Sequence, residues 1–204
     1  MSRLARPSDQ QSELAILRKA QRGDEQAFSL LVQAYQPQVF NFVWRLVGDR
    51  ALAEDLTQEI FLRVFQALPT FSFRSKFSTW VFQVAKNRVL DELRASGRRP
   101  RHLVALDDVP WLEAMNAPVE QGETLAEIWG AIELLPVGQR IALLLRDVVG
   151  LRYAEIADTL DITLPTVKWR IFKAREAVAL ALAEADLAGK QAATVTTDRV
   201  SATS

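Results

Sequence analysis

An all-helical chain of two small domains is the fold class this sequence predicts, on three observations. Apolar residues recur at helical spacing over most of the length, and no convincing period-2 strand or hairpin pattern occurs. The segment from about Gly97 to Gln121 holds Pro100, Pro110 and Pro118 with few periodic apolar positions. It therefore reads as a linker (98–123) between a domain at 10–97 and another at 124–186. Apolar residues make up 49% of the 204 positions, enough to give each domain a core. From about 187 to 204 the Ala-, Thr- and Ser-rich end lacks apolar periodicity and is expected to be a disordered tail.

In the first domain helices are expected at about 10–21, 24–47, 50–67 and 78–96. Asp24 or Gly23 can start the second, Gly48-Asp49 separates it from the third, Pro69 stops the third, and Ser78 can cap the fourth. In the second domain helical patterns cover 125–135, 137–149, 152–160 and 165–184. Pro136 with Gly138 divides the first pair and Gly150 the next. The run from Tyr153 to Arg175 has the layout of a helix-turn-helix: a short helix, a tight turn and a basic helix. Thr163 can cap its second helix, and Pro165 in the first turn costs no hydrogen bond.

Composition removes several classes of function. There is no Cys and a single His, His102. A disulfide scaffold, a thiol nucleophile and Cys-based zinc sites are excluded, and a His-based metal site or Ser-His-Asp triad lacks its parts. No Gly-rich phosphate loop occurs either, so neither an enzyme nor a cofactor or metal is expected. No signal-like start and no run of 18 apolar residues is present, which points to the cytoplasm without membrane insertion.

The charges balance at 25 basic and 25 acidic residues, but the balance is a cancellation between blocks. The first domain is mildly basic, and Arg98, Arg99 and Arg101 follow it. From Val104 to Glu123 there are five acids (Asp107, Asp108, Glu113, Glu120, Glu123) and no cation. Lys168, Arg170, Lys173 and Arg175 then crowd into eight residues. Such a chain lacks a global positive field to steer it onto DNA, which favours a subunit over a lone DNA binder.

Four patterns carry surplus information. At 100° per residue, Ala53, Leu56, Ile60 and Val64 form a core-facing stripe, while Asp55, Gln58, Glu59 and Leu62 share another face. That face suits protein docking, or is an ordinary solvated face with one stray Leu. Around Val81, Ala85 and Val89, the next helix places Gln83, Asn87 and Arg94 within about 40° of each other, side chains that contact base edges and phosphates. The loop before it, Thr70 to Phe77, alternates Phe71, Phe73 and Phe77 with hydroxyls and the cations Arg74 and Lys76. It can hold an unstacked single-stranded base, or its rings can be core anchors under a polar turn; Trp80 reads as core. On the last helix, Val167, Ile171, Ala174 and Val178 point inward. Lys168, Trp169, Phe172, Lys173 and Arg175 lie outside, aromatics among cations that fit a major groove or, alternatively, a protein partner.

Together these motifs resemble a known family. The runs Gly23–Phe28, Ala53–Phe61, Phe77–Phe82, Ala85–Arg88 and Asp91–Arg94 resemble region 2 of bacterial sigma factors of the extracytoplasmic-function class. Leu134-Leu135-Pro136, Tyr153–Ala157 and Thr166–Arg170 resemble region 4. The resemblance covers about residues 14–184 and implies an initiation factor, active in stress responses, that binds core RNA polymerase and directs it to promoters. It implies that Asp55, Gln58, Glu59 and Leu62 meet the large polymerase subunits, β and β′. It assigns the −10 element to Phe71, Phe73, Arg74, Lys76, Gln83, Asn87 and Arg94, with one base flipped out. The −35 element falls to Thr166, Lys168, Trp169, Arg170, Phe172, Lys173 and Arg175. It further implies control by an anti-sigma factor, and an acidic linker that mimics nucleic acid near the polymerase active centre. The sequence departs from the family at Asp161, where a turn Gly is usual, at Pro165 and at Trp169; Asp tolerates turn geometry.

Outside this resemblance, two other functions fit parts of the sequence. A helix-turn-helix regulator with a ligand-sensing first half leaves the Asp55/Gln58/Glu59 face and the aromatic loop unexplained. A helical adaptor that binds only proteins leaves the basic helix unexplained.

Overall fold

The computed structural model describes residues 7–96 and 122–201; the expected linker, including His102 and Asp107 to Glu120, lies outside them. Eight α-helices and no strand occur among the described residues: α1 Pro7–Gln21, α2 Glu25–Val47, α3 Arg50–Ala67, α4 Phe77–Ala95, α5 Gly122–Glu133, α6 Val137–Asp147, α7 Tyr153–Leu160 and α8 Leu164–Ser201. The all-helical expectation holds.

Local chemistry sets the boundaries in the first half. The Asp24 carboxylate accepts from the Ala27 N–H at 3.0 Å and opens α2. Gly48 closes it in the left-handed region (φ 72°), its N–H reaching the Trp44 carbonyl at 2.8 Å. Asp49 then caps α3 through the Leu52 N–H. Pro37 sits inside α2 on an exposed turn, where losing one backbone hydrogen bond leaves the partner open to water. One expected cap moves. Helix α4 begins at Phe77, preceded by Lys76, so Ser78 lies within the first turn. Burial explains the shift: Phe77 is only 3% exposed and anchors the start of α4 in the core.

The expected inward stripes pack as one core. Ala53, Leu56, Ile60 and Val64 of α3 and Val81, Ala85 and Val89 of α4 are fully buried, together with Phe42 and Phe82 in edge-to-face contact. In the second half Ile156 of α7 and Val167, Ile171 and Ala174 of α8 close over Ile141, Leu144 and Leu145 of α6. The α7–α8 turn passes through Asp161 in the left-handed region (φ 54°), where the Asp161 and Ile162 N–H groups both reach the Ala157 carbonyl. Thr163 accepts from the Thr166 N–H at 3.4 Å, as expected for a cap.

The end of the chain differs from expectation. Residues 187–201 continue α8 rather than forming an irregular tail. Alanine, the best helix former, recurs through this stretch, with Gly189 the one weak position and no proline.

The two halves also touch. Helix α7 packs against α4, and α2 approaches α6. The Arg45 guanidinium of α2 lies 3.5 Å above the Trp129 ring of α5, a cation–π contact between the halves.

Candidate functional sites

Three surfaces carry the residues singled out in the sequence. The first is the outer face of α3. Asp55 and Gln58 are exposed and Leu62 is 61% exposed. Glu59 instead turns toward α4, where its Oε2 accepts from Arg88 Nε at 2.6 Å; Arg88 also donates to Glu92 at 3.1 Å. The hydrogen bond from Arg88 holds the Glu59 carboxyl below the usual carboxylate range, against a smaller opposing effect of burial. Leu62 is not a stray residue. It borders a groove of about 350 Å³ between α2 and α3, lined by Phe28, Val32, Gln36, Thr57, Gln58, Phe61 and Phe65. Sequence reasoning missed Phe65, although it stands three residues after Leu62 on the same face and is 44% exposed.

The second surface is the loop before α4 and the face that follows it. Phe71 does not reach solvent. It is 6% exposed and packs with Phe73, Phe77 and Trp80 at centroid distances of 4.9–5.9 Å. This burial is what the core-anchor reading expects of Phe71 and Phe77, because a ring packed among three others removes much apolar area from water. Phe73 is different. It is exposed at 37% and held in the left-handed region (φ 57°), a strained conformation for an aromatic residue. Gln21 of α1 braces this loop, donating to the Phe71 carbonyl at 2.9 Å with the Leu68 and Pro69 carbonyls at 3.3 Å. Arg74 and Asn87 are exposed, Gln83 is half-buried, and Arg94 pairs with Asp91 at 3.1 Å. Lys76 pairs across to Glu155 of α7 at 2.6 Å.

The third surface is the front of α8. Trp169 and Phe172 are 55% and 62% exposed, with Lys168 exposed beside them. Two of the remaining cations are paired with carboxylates. Lys173 pairs with Glu176 at 2.6 Å, and Arg175 makes two hydrogen bonds to Asp147 of α6, at 2.6 and 3.2 Å. Arg170 lies against Gly138, and Thr166 bonds the Thr163 hydroxyl at 2.7 Å. The expected −35 set thus divides into Lys168, Trp169 and Phe172 facing outward and Arg175 holding α8 to α6.

Comparison with known proteins identifies the framework. The family model for sigma-70 region 2 matches residues 31–99, and that for sigma-70 region 4 matches 125–178. The chain is 38% identical over 189 residues to the ECF RNA polymerase sigma-E factor of Escherichia coli, covering 84% of this chain and 94% of that protein. This chain belongs to the extracytoplasmic-function class of sigma factors. It is 36% identical over 183 residues to the RNA polymerase sigma-H factor of Pseudomonas aeruginosa, covering 85% and 95% of the two chains. Among solved structures, CnrH in complex with the cytosolic domain of CnrY has the same fold (TM-score 0.64, 23% identity, 84% of this chain and 97% of that one). The sigma factor RpoE of Bartonella quintana, solved with the anti-sigma factor NepR, also shares it (TM-score 0.60, 23% identity, 76% and 96%). Membership makes this sigma factor a transcription initiation subunit and not an enzyme. Among the described residues no helix is long and apolar enough to cross a membrane.

Proposed function

We propose that this sigma factor works in the cytoplasm with core RNA polymerase, reading the −10 element with the loop and face of α4 and the −35 element with α8. The observation that carries this reading is Phe73. Its exposed ring is held at positive φ against the buried Phe71 ring, beside Arg74 and within one domain with the amide side chains Gln83 and Asn87. A ring held at positive φ with part of its surface in water suits stacking on an unpaired base. Trp169 and Phe172 flanking Lys168 suit thymine methyls and phosphates in a major groove. Asp55, Gln58 and Leu62, with the apolar groove beside them, suit the large polymerase subunits; Glu59 serves there mainly by fixing α3 to α4.

An anti-sigma partner fits the same picture, because the Bartonella factor was solved with the anti-sigma factor NepR bound. The domain limits of 10–97 and 124–186 belong to this reading as well. The test is co-purification with core polymerase followed by run-off transcription. Initiation conferred on the core enzyme is the expected result. DNA binding without initiation would replace the proposal with a plain helix-turn-helix regulator.

A further inference from the structure

The loop that presents Phe73 is short, and what fixes its two ends fixes the ring. At the far end Phe77 is buried and starts α4, where the Trp80 N–H reaches the Lys76 carbonyl at 3.1 Å. At the near end the chain leaves a short helical turn, Leu68–Thr70, and enters the loop at the buried Phe71. Burying a ring does not fix the peptide group beside it, and Phe73 two positions later stands in a conformation that an aromatic residue leaves when it can. The Phe71 carbonyl gains its own partner from Gln21. The half-buried amide Nε2 lies 2.9 Å from that oxygen and 3.3 Å from the oxygens of Leu68 and Pro69. An amide has two hydrogens to give, so the short contact to Phe71 is the main one and the longer pair share the rest.

This donor stands on a fixed support. Gln21 is the last residue of α1, beyond which Gly23 turns the chain in the left-handed region (φ 91°) and its N–H reaches the Ala20 carbonyl at 3.0 Å. Leu17 and Ala20 are buried, and Tyr35 of α2 donates its hydroxyl to Glu13. The same Tyr35 ring meets Phe77 edge-on at 5.2 Å. Helix α1 thus bears on both ends of the loop, although it lies before the span 31–99 that matches the region 2 family model.

We propose that Gln21 is a positioning residue for promoter opening: its amide, carried on α1, fixes the Phe71 peptide so that Phe73 is already turned outward when a base leaves the stack. The inference rests on Phe73 being the ring that receives that base. A loop ordered in advance loses no freedom at the moment of capture. The gain therefore belongs to the opening step, and the closed complex, in which the DNA is still paired, does not draw on it.

Two variants test it. Gln21→Met keeps the length of the side chain and removes the donor, and Gln21→Glu keeps its shape and puts an acceptor in the donor's place. The full-length chain has no native Cys, so Ser75→Cys, exposed in the loop, takes a single nitroxide label. The electron paramagnetic resonance spectrum is expected to narrow in both Gln21 variants as the loop gains motion; a spectrum unchanged in both overturns the proposal. Without the label, each variant is then assembled with core polymerase on a promoter that the wild-type holoenzyme transcribes. Opening, followed by permanganate reactivity, should slow about fivefold, the value of one hydrogen bond, with closed-complex affinity unchanged. An equal loss in the closed complex would show a general structural defect and overturn the positioning role. In a Phe73→Ala background Gln21→Met should slow opening no further, because the ring it positions is gone. A second full fivefold loss there also overturns the proposal. If Phe73→Ala opens as fast as wild type, the base-stacking reading is what has failed, and the label spectrum still decides whether Gln21 sets the loop.

Discussion

Arg88 joins α3, with its proposed polymerase-facing surface, to α4, with its proposed −10 surface, and its removal gives a prediction that structure alone can size. Arg88→Met keeps most of the aliphatic packing and deletes three charge-assisted hydrogen bonds, one to Glu59 at 2.6 Å and two to Glu92 at 3.1 Å. Arg88 is 13% exposed, Glu92 22% and Glu59 46%. The Glu59 pair is thus partly screened and contributes no more than about 1 kcal/mol, and the more sheltered Glu92 contacts contribute a similar amount. A loss of about 2 kcal/mol should lower the Tm of a domain this size by roughly 8–16 °C. The pH dependence follows from Glu59, whose folded pKa lies below its unfolded value. Its contribution is complete above about pH 4–5 and is lost as pH falls through the lower folded value. Differential scanning calorimetry at pH 7 and near pH 3 should therefore show a wide gap between wild type and variant that narrows in acid. A gap under about 2 °C at pH 7, or one that does not change with pH, would refute the reasoning.

Further outcomes follow from the three surfaces. Leu62→Asp should weaken core polymerase binding about tenfold in a competition assay while moving the unfolding free energy by less than about 0.5 kcal/mol, since the side chain is already in water. Phe73→Gly relieves roughly 1 kcal/mol of backbone strain against the lost ring contact, so its Tm should stay near that of wild type. Permanganate reactivity of promoter thymines should nonetheless fall sharply. Lys168→Ala should weaken holoenzyme binding to all promoters alike and reduce the salt slope by about one, whereas Trp169→Ala should change which −35 sequences are preferred. Equal promoter profiles for Trp169→Ala and wild type would count against its role in readout.

Much of this molecule is written in periodicity. The stripes of α3, α4 and α8 were legible because a helix must bury one face, and Asp24, Gly48 and Thr163 were legible because caps have few chemical solutions. Partners were not. The Lys76–Glu155 pair joins residues about 80 positions apart, and nothing in either local pattern announces the other. Phe71 and Phe73 stand two residues apart in one polar loop, and only the backbone turn decides which ring goes inside. Arg175 was legible as a cation of α8, but its partner Asp147 was not, because that residue belongs to another helix. The continuation of α8 beyond residue 187 was missed because the expectation weighed apolar periodicity and not the helix propensity of the recurring alanines.

Gly138 shows how far such indirect arrangements reach. A β-carbon there would sit 3.2 Å from Arg170 Nη1 and 3.3 Å from its Cζ, so the guanidinium would have to give way by a few tenths of an ångström. Any larger residue on α6 would push Arg170 outward, changing the reach of a positive charge on the front of α8 with no alteration on α8 itself. On the proposed −35 reading, a single methyl group on α6 would thus alter a contact to DNA that α8 makes.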